Sequence, residues 1–357
     1  MTQSNEISFK GQNIYIGIDV HLKSWSVTIL SETSVLKKMS QGADPDALYR
    51  FLTSHYPGAE YFSVYEAGFC GFWIHDRLME LGIHNIVVNP ADVPTMSSER
   101  LRKTDAVDSN KLAVGLRAKQ LKGIYTPDSE TLEIRSLIRL KNSITKDMTR
   151  QKNRIKSQLR YLGVTIPAEF TETRSNWSQR FIEWLRDVET KTPFGRQTID
   201  VQIMQLTSLR DLKADIMKRL RELSHTERFK KTLDLLMTVP GIGQASGLAL
   251  LAEIVDITRF KNSEQLAAYV GMIPMCHSSG EHEGVGDITL RKQPILRHII
   301  IESAWVAIRQ DETLQLCYLN NCKRMVPSKA IVKVARKLIN RVYFVLKRQQ
   351  PYVMAMV

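Results

Sequence analysis

The chain has 357 residues, 43% hydrophobic and 24% charged, and its 50 Lys and Arg against 37 Asp and Glu leave a formal charge of +13. That hydrophobic content can fill real cores and excludes a disordered basic tail, while the cationic excess favours a polyanionic partner, nucleic acid or an acidic membrane surface. The four cysteines (Cys70, Cys276, Cys317, Cys322) show neither CxxC nor CxxH spacing, so neither a zinc ribbon nor a disulfide scaffold is suggested and a reducing cytosol fits.

The first residues, MTQSNEISFKGQ, lack the cationic-then-apolar order of a secretory signal, and a cytoplasmic protein is expected. From Asn13 to Leu30 two β-rich runs flank a polar hinge at His21 to Ser24, the pattern of a hairpin. The first run is apolar on both faces, as in the central strand of a covered sheet. A helix is expected over Pro45 to His55, then a strand over Tyr61 to Tyr65 ending in Glu66. A helix with Trp73, Leu78 and Leu81 on one side follows, then a strand, IVVNP, closing at Pro90. This alternation predicts an α/β domain with a mixed sheet over residues 1–128.

After Thr126-Pro127 the pattern turns to long helical periodicity. Leu137, Leu140, Ile144, Met148, Ile155, Leu159 and Leu162 form a heptad-like seam, and Ile199, Ile203, Leu206, Leu209, Ile216, Leu220 and Leu223 form another. With a polar connector from Pro167 to Gly195 between them, residues 129–225 read as an antiparallel helical arm or a coiled coil that pairs between protomers. A mostly α-helical domain over 226–357 completes the chain. Its uncharged stretch from Leu235 to Ala252 is about as long as a membrane span, but Pro240, Gly241, Gly243 and Gly247 make it a turn followed by a buried helix. A basic helix from Ser328 to Arg348 follows, and the short apolar tail is expected to dock on its neighbour.

Four acids stand out. Asp19 interrupts an apolar strand, where a lone carboxylate costs on the order of several kcal/mol unless a cation or donors meet it. Glu66 ends a second strand, and Asp105 and Asp108 in KTDAVDSNKLAVGLR share one helix face. Converging carboxylates are tolerated chiefly where hard cations neutralise them, and oxygen ligands select Mg²⁺, with Mn²⁺ also fitting. The bland alternative makes Asp105 and Asp108 surface acids balanced by Lys103 and Lys111.

The order G-I-D-V-H at Gly17 to His21, E-A-G at Glu66 to Gly68 and K-T-D-A-V-D at Lys103 to Asp108 resembles the amino-terminal domain of DEDD transposases. These are insertion-sequence recombinases related to the pilin-gene invertase and described as bridge-RNA-guided. The resemblance implies a ribonuclease H or Holliday-junction-resolvase type of fold, with Asp19, Glu66, Asp105 and Asp108 as metal-binding and catalytic residues. Many relatives carry Thr or Ser before the glycine that here follows Glu66-Ala67 at once.

The carboxyl part carries the resemblance further. Val239-Pro240-Gly241-Ile242-Gly243 has the pattern of a helix-hairpin-helix turn, in which Gly241 and Gly243 let backbone amides approach a DNA phosphate; the alternative is a bare inter-helix turn. Gly271-Met272-Ile273-Pro274 followed by Ser278-Ser279-Gly280 resembles the block holding the family's nucleophilic serine, and the match falls on Ser279, with Ser278 its neighbour. On physics alone a serine in a loop with Gly280, Gly284 and Gly286 is more often a turn former. Such a loop would be flexible enough to carry Ser279 to a strand held at the acids. His277 and His282 suit phosphate contact or loop roles better than a zinc site. Where relatives read Lys-Arg-Gly, this chain has Leu290-Arg291-Lys292-Gln293-Pro294, which keeps the cationic character in Arg291 and Lys292.

The positive charge is concentrated. Ile134 to Arg160 holds nine basic residues, Arg139, Arg150 and Arg154 among them, against one acid, and Cys322 to Arg348 holds nine, including Lys333, Arg336 and Lys337, against none. With so few opposite charges nearby, both segments are expected to bind nucleic acid.

Taken together the residues and the resemblance imply an insertion-sequence transposase: an RNA-guided DNA recombinase that is Mg²⁺-dependent and passes through a covalent phosphoserine at Ser279. Its partners would be donor and target DNA, a structured bridge RNA and further copies of itself, as a dimer or tetramer, with no membrane. It would be cytoplasmic in a bacterium and nucleoid-associated when active. Two alternatives stay open, a metal-dependent junction-resolving or ribonuclease H-like nuclease and a non-catalytic nucleic-acid-binding protein.

Overall fold

In the computed structural model the described residues are 8–94, 105–171, 176–279 and 282–354, with backbone alone for those between 276 and 285. The chain divides into two units, Met1–Thr126 and Pro127–Val357.

The first unit is organised by strand β1 (Asn13–Val20), whose alternate residues feed two different cores. Ile14, Ile16 and Ile18 join Trp25, Val27 and Ile29 of β2 (Ser24–Leu30) and the buried residues of helices α1 (Pro45–His55) and α2 (Trp73–Glu80). On the other side Tyr15 packs with Leu30 and with Ala113 of α3 (Asp105–Arg117). With β3 (Val35–Gly42), β4 (Glu60–Glu66) and β5 (His84–Val88) the sheet has the order β3-β2-β1-β4-β5. β1 runs antiparallel to β2, and β4 runs parallel to both β1 and β5. The mixed α/β domain read from the sequence is therefore present, with helices on both faces of its sheet.

Two local expectations change. β3 was not expected, because its lysines break the apolar alternation; as an edge strand its exposed Lys37 and Lys38 guard against pairing with another chain. On α2, Trp73 is 52% exposed, and Ile74 and Leu78, one turn apart, make the buried face instead.

Gly17 sets how close α3 lies. A Cβ there would sit 2.0 Å from the Ser109 carbonyl oxygen and 2.4 Å from the Ala113 amide nitrogen, so only glycine admits the helix backbone. Buried Thr28 and Ser109 hydroxyls, 2.9 Å apart, pin the same contact. Gly17→Ala is expected to cost at least the ~1–3 kcal/mol of an overpacked core, read as a lower urea midpoint.

In the second unit α4 (Ser129–Tyr161) and α6 (Pro193–Ser224) lie antiparallel within one chain. Ile134 and Ile138 share a core with Leu220, whereas Ile155 and Leu159 share one with Ile199 and Ile203, and Gln151 Nε2 donates to the Gln202 carbonyl at 3.0 Å. Leu140, assigned to the seam, is 52% exposed, and Ile134 and Ile138 take its place. The stretch expected to be a polar connector has a core of its own. Helix α5 (Gln179–Asp187) buries Phe181, Ile182 and Leu185, and Phe170, Trp177 and Trp184 surround Phe181.

Helices α7 (Lys230–Met237) and α8 (Gln244–Ile254) follow, and α8 is buried along its length from Gly247, as expected of that uncharged stretch. After α9 (Ser263–Val270) comes a hairpin of β6 (Pro274–Ser279) and β7 (His282–Ile288), then α10 (Pro294–Ala307), α11 (Glu312–Cys322) and the basic α12 (Pro327–Arg348). The tail docks on this unit. Tyr352 N donates to Thr238 Oγ1 at 2.8 Å, and its hydroxyl donates to Asp311 Oδ2 at 2.9 Å. Among the described residues no helix is long and apolar enough to cross a membrane.

Buried Glu253 ends α8 and sits 3.4 Å from Arg135 Nε and 3.2 Å from Arg139 Nη2, with Gln293 Nε2 donating at 3.1 Å. Arg135 also donates to the Ala252 and Glu253 carbonyls. Opposite charge thus reaches the basic stretch from a partner more than a hundred residues away. Glu253→Leu would strand the buried Arg135 cation and is expected to destabilise by about 3–5 kcal/mol in urea unfolding.

Candidate metal centre

Asp19 and Glu66 stand at the carboxyl ends of adjacent parallel strands, each immediately after the paired couple Ile18 and Tyr65. Such strand ends are where α/β sheets gather ligands. Asp19 lies on the β1 face that α3 covers, and α3 brings Asp105 and Asp108 in its first turn. His21 follows Asp19 by two residues. Its Nε2 is 3.2 Å from Asp19 Oδ2 and 3.4 Å from Asp105 Oδ2, bridging the two carboxylates.

Ligand atoms of Asp19, His21 and Asp105 all lie within 4.8 Å of one another. Burial raises the Asp19 carboxyl above its ordinary value; His21 opposes this, and Asp105 and Asp108 push it further up. A divalent cation suits this donor set because it would relieve both the carboxylate repulsion and the desolvation. Asp108 lies 3.7 Å from Lys111 Nζ with both side chains mostly buried, while Lys103 lies outside the described residues. Asp19, Asp105 and Asp108 are thus brought together, and Glu66 is on the neighbouring strand end.

His21 was quoted in the motif but given no role. The signal was available: residues two apart on a strand share a face, so a histidine two after Asp19 continues its side of the sheet.

In the second unit Ser278 and Ser279 are not in an open loop. They end β6, paired with Glu283 and His282 of β7, while Gly284 pairs with His277; Gly280 lies outside the described residues. The hairpin is held at its base. Arg297 donates to the Thr289 carbonyl at 2.5 Å and to the Gly271 carbonyl, and Gly271, at φ +84°, closes α9. Arg291 and Lys292 are exposed between this hairpin and α10.

The amides at the glycine turn have partners inside the chain. Gly241 N donates to Gln310 Oε1 and Gly243 N to Ser246 Oγ, each at 2.9 Å. A Cβ at Gly241, where φ is +80°, would fall 2.1 Å from the Ser303 carbonyl oxygen, so this glycine serves the approach of α10.

Arg139, Lys146, Arg150, Arg154 and Arg160 are exposed along α4 at helical spacing, although Arg139 is tied to Glu253 and Arg150 to Asp147 at 2.8 Å. Lys152 and Lys156 instead lie over the Trp177 ring, at 5.6 and 5.9 Å. On α12 Lys333 and Lys337 are exposed one turn apart, while Arg336 reaches the Ser263 carbonyl at 3.5 Å and Glu264 at 3.8 Å.

Comparison with known proteins identifies the lineage. A family model described as "Transposase IS116/IS110/IS902 family" matches residues 233–319, and a DEDD transposase model of the IS110 type matches residues 16–163. The chain belongs to the IS110/IS116 transposase family. It is 27% identical to y4rJ of Sinorhizobium fredii, a protein named as a transposase, over 91% of this chain and 90% of the relative. To the transposase for insertion sequence element IS1111A of Coxiella burnetii it is 23% identical, covering 77% of this chain and 74% of that protein. The pilin gene-inverting protein of Moraxella bovis matches at 25% over 36% of this chain and 40% of its own. As an IS110-family transposase the protein is a DNA recombination enzyme, of a DEDD family that works with divalent metal.

Proposed function

We propose that this transposase is an RNA-guided DNA recombinase in which Asp19, Glu66, Asp105 and Asp108 hold Mg²⁺ and Ser279 is the nucleophile. The observation that carries the metal part is the meeting of Asp19, His21 and Asp105 where α3 crosses β1 over Gly17. The strand order and the parallel β1–β4 pair support a ribonuclease H-like, resolvase-type domain.

Bound there, Mg²⁺ would polarise the scissile phosphate and stabilise charge on its oxygens. The acids hold the cation, and His21 orients Asp19 and Asp105 between its own contacts. The Ser279 Oγ–P bond forms as the P–O3′ bond breaks, the serine proton passing in net terms to the departing 3′ hydroxyl. Attack by a different 3′ hydroxyl reverses these steps and returns the serine, so no ATP is required.

The three-part division at 128 and 225 assigns this chemistry to residues 1–128 and 226–357, with the antiparallel helices between as an arm. Exposed Val201, Met204 and Leu212 leave a second apolar strip on α6 that suits coiled-coil pairing of protomers into a dimer or tetramer, so that the serine of one copy can serve the acids of another. Arg139, Arg150, Arg154, Arg291, Lys292, Lys333, Arg336 and Lys337, with the turn at Gly241 and Gly243, would face DNA and a structured guide RNA. These contacts carry phosphate affinity and no sequence, which leaves target choice to base pairing.

The deciding experiment incubates the protein, guide RNA and donor and target duplexes with Mg²⁺ and scores recombinant DNA and protein–DNA adducts. Free 5′-phosphate ends without adduct would favour the nuclease alternative.

A further inference from the structure

A cleft of about 730 Å³ opens between α4 and α10, with Lys141, Asn142, Thr145, Lys146, Ser246 and His298 among its lining residues. A second cavity of about 430 Å³ adjoins it, sharing Lys141, Asn142, Ser246 and Ile299 and extending to Gln244 and Ala245. Both are of a size that takes small ligands or segments of larger ones.

The charge of this cleft is unbalanced. Lys141 is half-buried; its Nζ reaches Asn142 Oδ1 at 3.3 Å, and among the described residues no carboxylate forms an ion pair with it. Burial pulls its ammonium below the ordinary lysine value, and nearby Lys213 pulls it further. Lys146 and His298 add donors at the exposed rim, where the single acid is Glu302. The first turn of α8 also lines the cleft through Ser246, whose Oγ accepts from Gly243 N, and the amides of that turn carry the positive end of the helix dipole. A desolvated ammonium facing cations is costly, and an anion entering the cleft would relieve that cost.

We propose that this cleft is a phosphate-ester site that seats a backbone phosphate of a nucleic-acid strand against Lys141, with Lys146 and His298 at its mouth. The assignment rests on the nucleic-acid reading above but not on the acidic centre or on Ser279. Phosphate is favoured over a carboxylate ligand because the donors come from three separate elements, α4, α8 and α10, and the tetrahedrally arranged oxygens of a phosphodiester reach diverging donors better than the coplanar pair of a carboxylate.

The test uses the full-length protein in EDTA, so that no strand is cut. Brief acetylation by an amine-reactive ester is mapped by mass spectrometry with and without a saturating DNA oligonucleotide duplex. Lys141 should be protected severalfold, with exposed Lys38 on the edge strand of the other unit as the reference. Millimolar inorganic phosphate should give no comparable protection. Lys141→Gln should weaken oligonucleotide binding and lower the slope of log affinity against log salt by about one, whereas Lys141→Arg should retain both. The footprint on the unmodified chain stands even if a variant folds poorly. Equal labelling of Lys141 with and without DNA, or protection by inorganic phosphate alone, overturns the proposal. Strand exchange lost in Asp19→Asn with Lys141 still protected would leave it intact, which separates its failure from that of the recombinase reading.

Discussion

Asp19→Asn is expected to abolish metal-dependent strand exchange while making the metal-free fold more stable, by about 1 kcal/mol. The two effects share a cause. Burial, reinforced by Asp105 and Asp108, raises the Asp19 carboxyl, so the folded state holds that proton more tightly than the unfolded chain does. Stability from this group is therefore present below the unfolded carboxyl value and is lost as pH rises through the raised folded value. At neutral pH the carboxylate is a burden on the metal-free fold, and the amide removes it. Thermal melts run from below the ordinary carboxyl value upward should show the wild type losing stability relative to the variant as pH rises through the raised Asp19 value. Adding Mg²⁺ should invert the ranking. A ligand at about 100 times its Kd stabilises the folded state by about 2.7 kcal/mol, and only the wild type should gain it. Equal Mg²⁺ stabilisation of both proteins would remove Asp19 from the ligand set.

That trade of stability against charge explains why β1 was legible in the sequence. A carboxylate in a strand whose neighbouring residues, Ile16 to Ile18 and Val20, are apolar is a local conflict, and such conflicts mark functional sites. The antiparallel helices were legible for a different reason, since their seams repeat over many turns and periodicity survives a few misassigned residues such as Leu140. What stayed hidden depends on distance in the sequence. The Arg135–Glu253 pair joins residues 118 positions apart, so the cationic stretch of α4 looked uncompensated when two of its arginines are held by one buried acid. The aromatic core around Phe181 was hidden because a nine-residue helix with four charged residues reads as polar until Phe170 and Trp184 are folded against it. The serine block was legible only through the family resemblance. Its backbone proved to be a paired hairpin where glycines had suggested an open loop, so movement of Ser279 would have to carry β6 and β7 together.

Ser279→Ala should eliminate both the covalent protein–DNA adduct and recombinant product, while Ser278→Ala retains them. Removing the nucleophile of a serine enzyme costs on the order of 10⁶ in rate, because no neighbouring hydroxyl reproduces its position. Nucleic-acid affinity and its salt dependence should be unchanged in both variants, because Lys333, Lys337 and the α4 arginines are untouched. Adducts trapped by rapid denaturation and mapped by peptide sequencing give the residue directly. Three other outcomes would each change the reading. Adduct lost in Ser278→Ala but kept in Ser279→Ala would move the nucleophile by one residue along β6. Cleavage in Ser279→Ala with free 5′-phosphate ends would make water the nucleophile and the protein a junction-resolving nuclease. Adduct formation in EDTA equal to that in Mg²⁺ would detach the serine chemistry from the acids of β1 and α3, because a hydroxyl is a weak nucleophile unless its target phosphate is polarised or its proton is removed. If the acidic centre supplies that activation, serine and acids need not belong to the same copy. Co-assembly of Ser279→Ala and Asp19→Asn proteins checks this: mixed oligomers should recover part of the activity that either variant lacks alone, and a complete absence of rescue would confine serine and acids to the same copy.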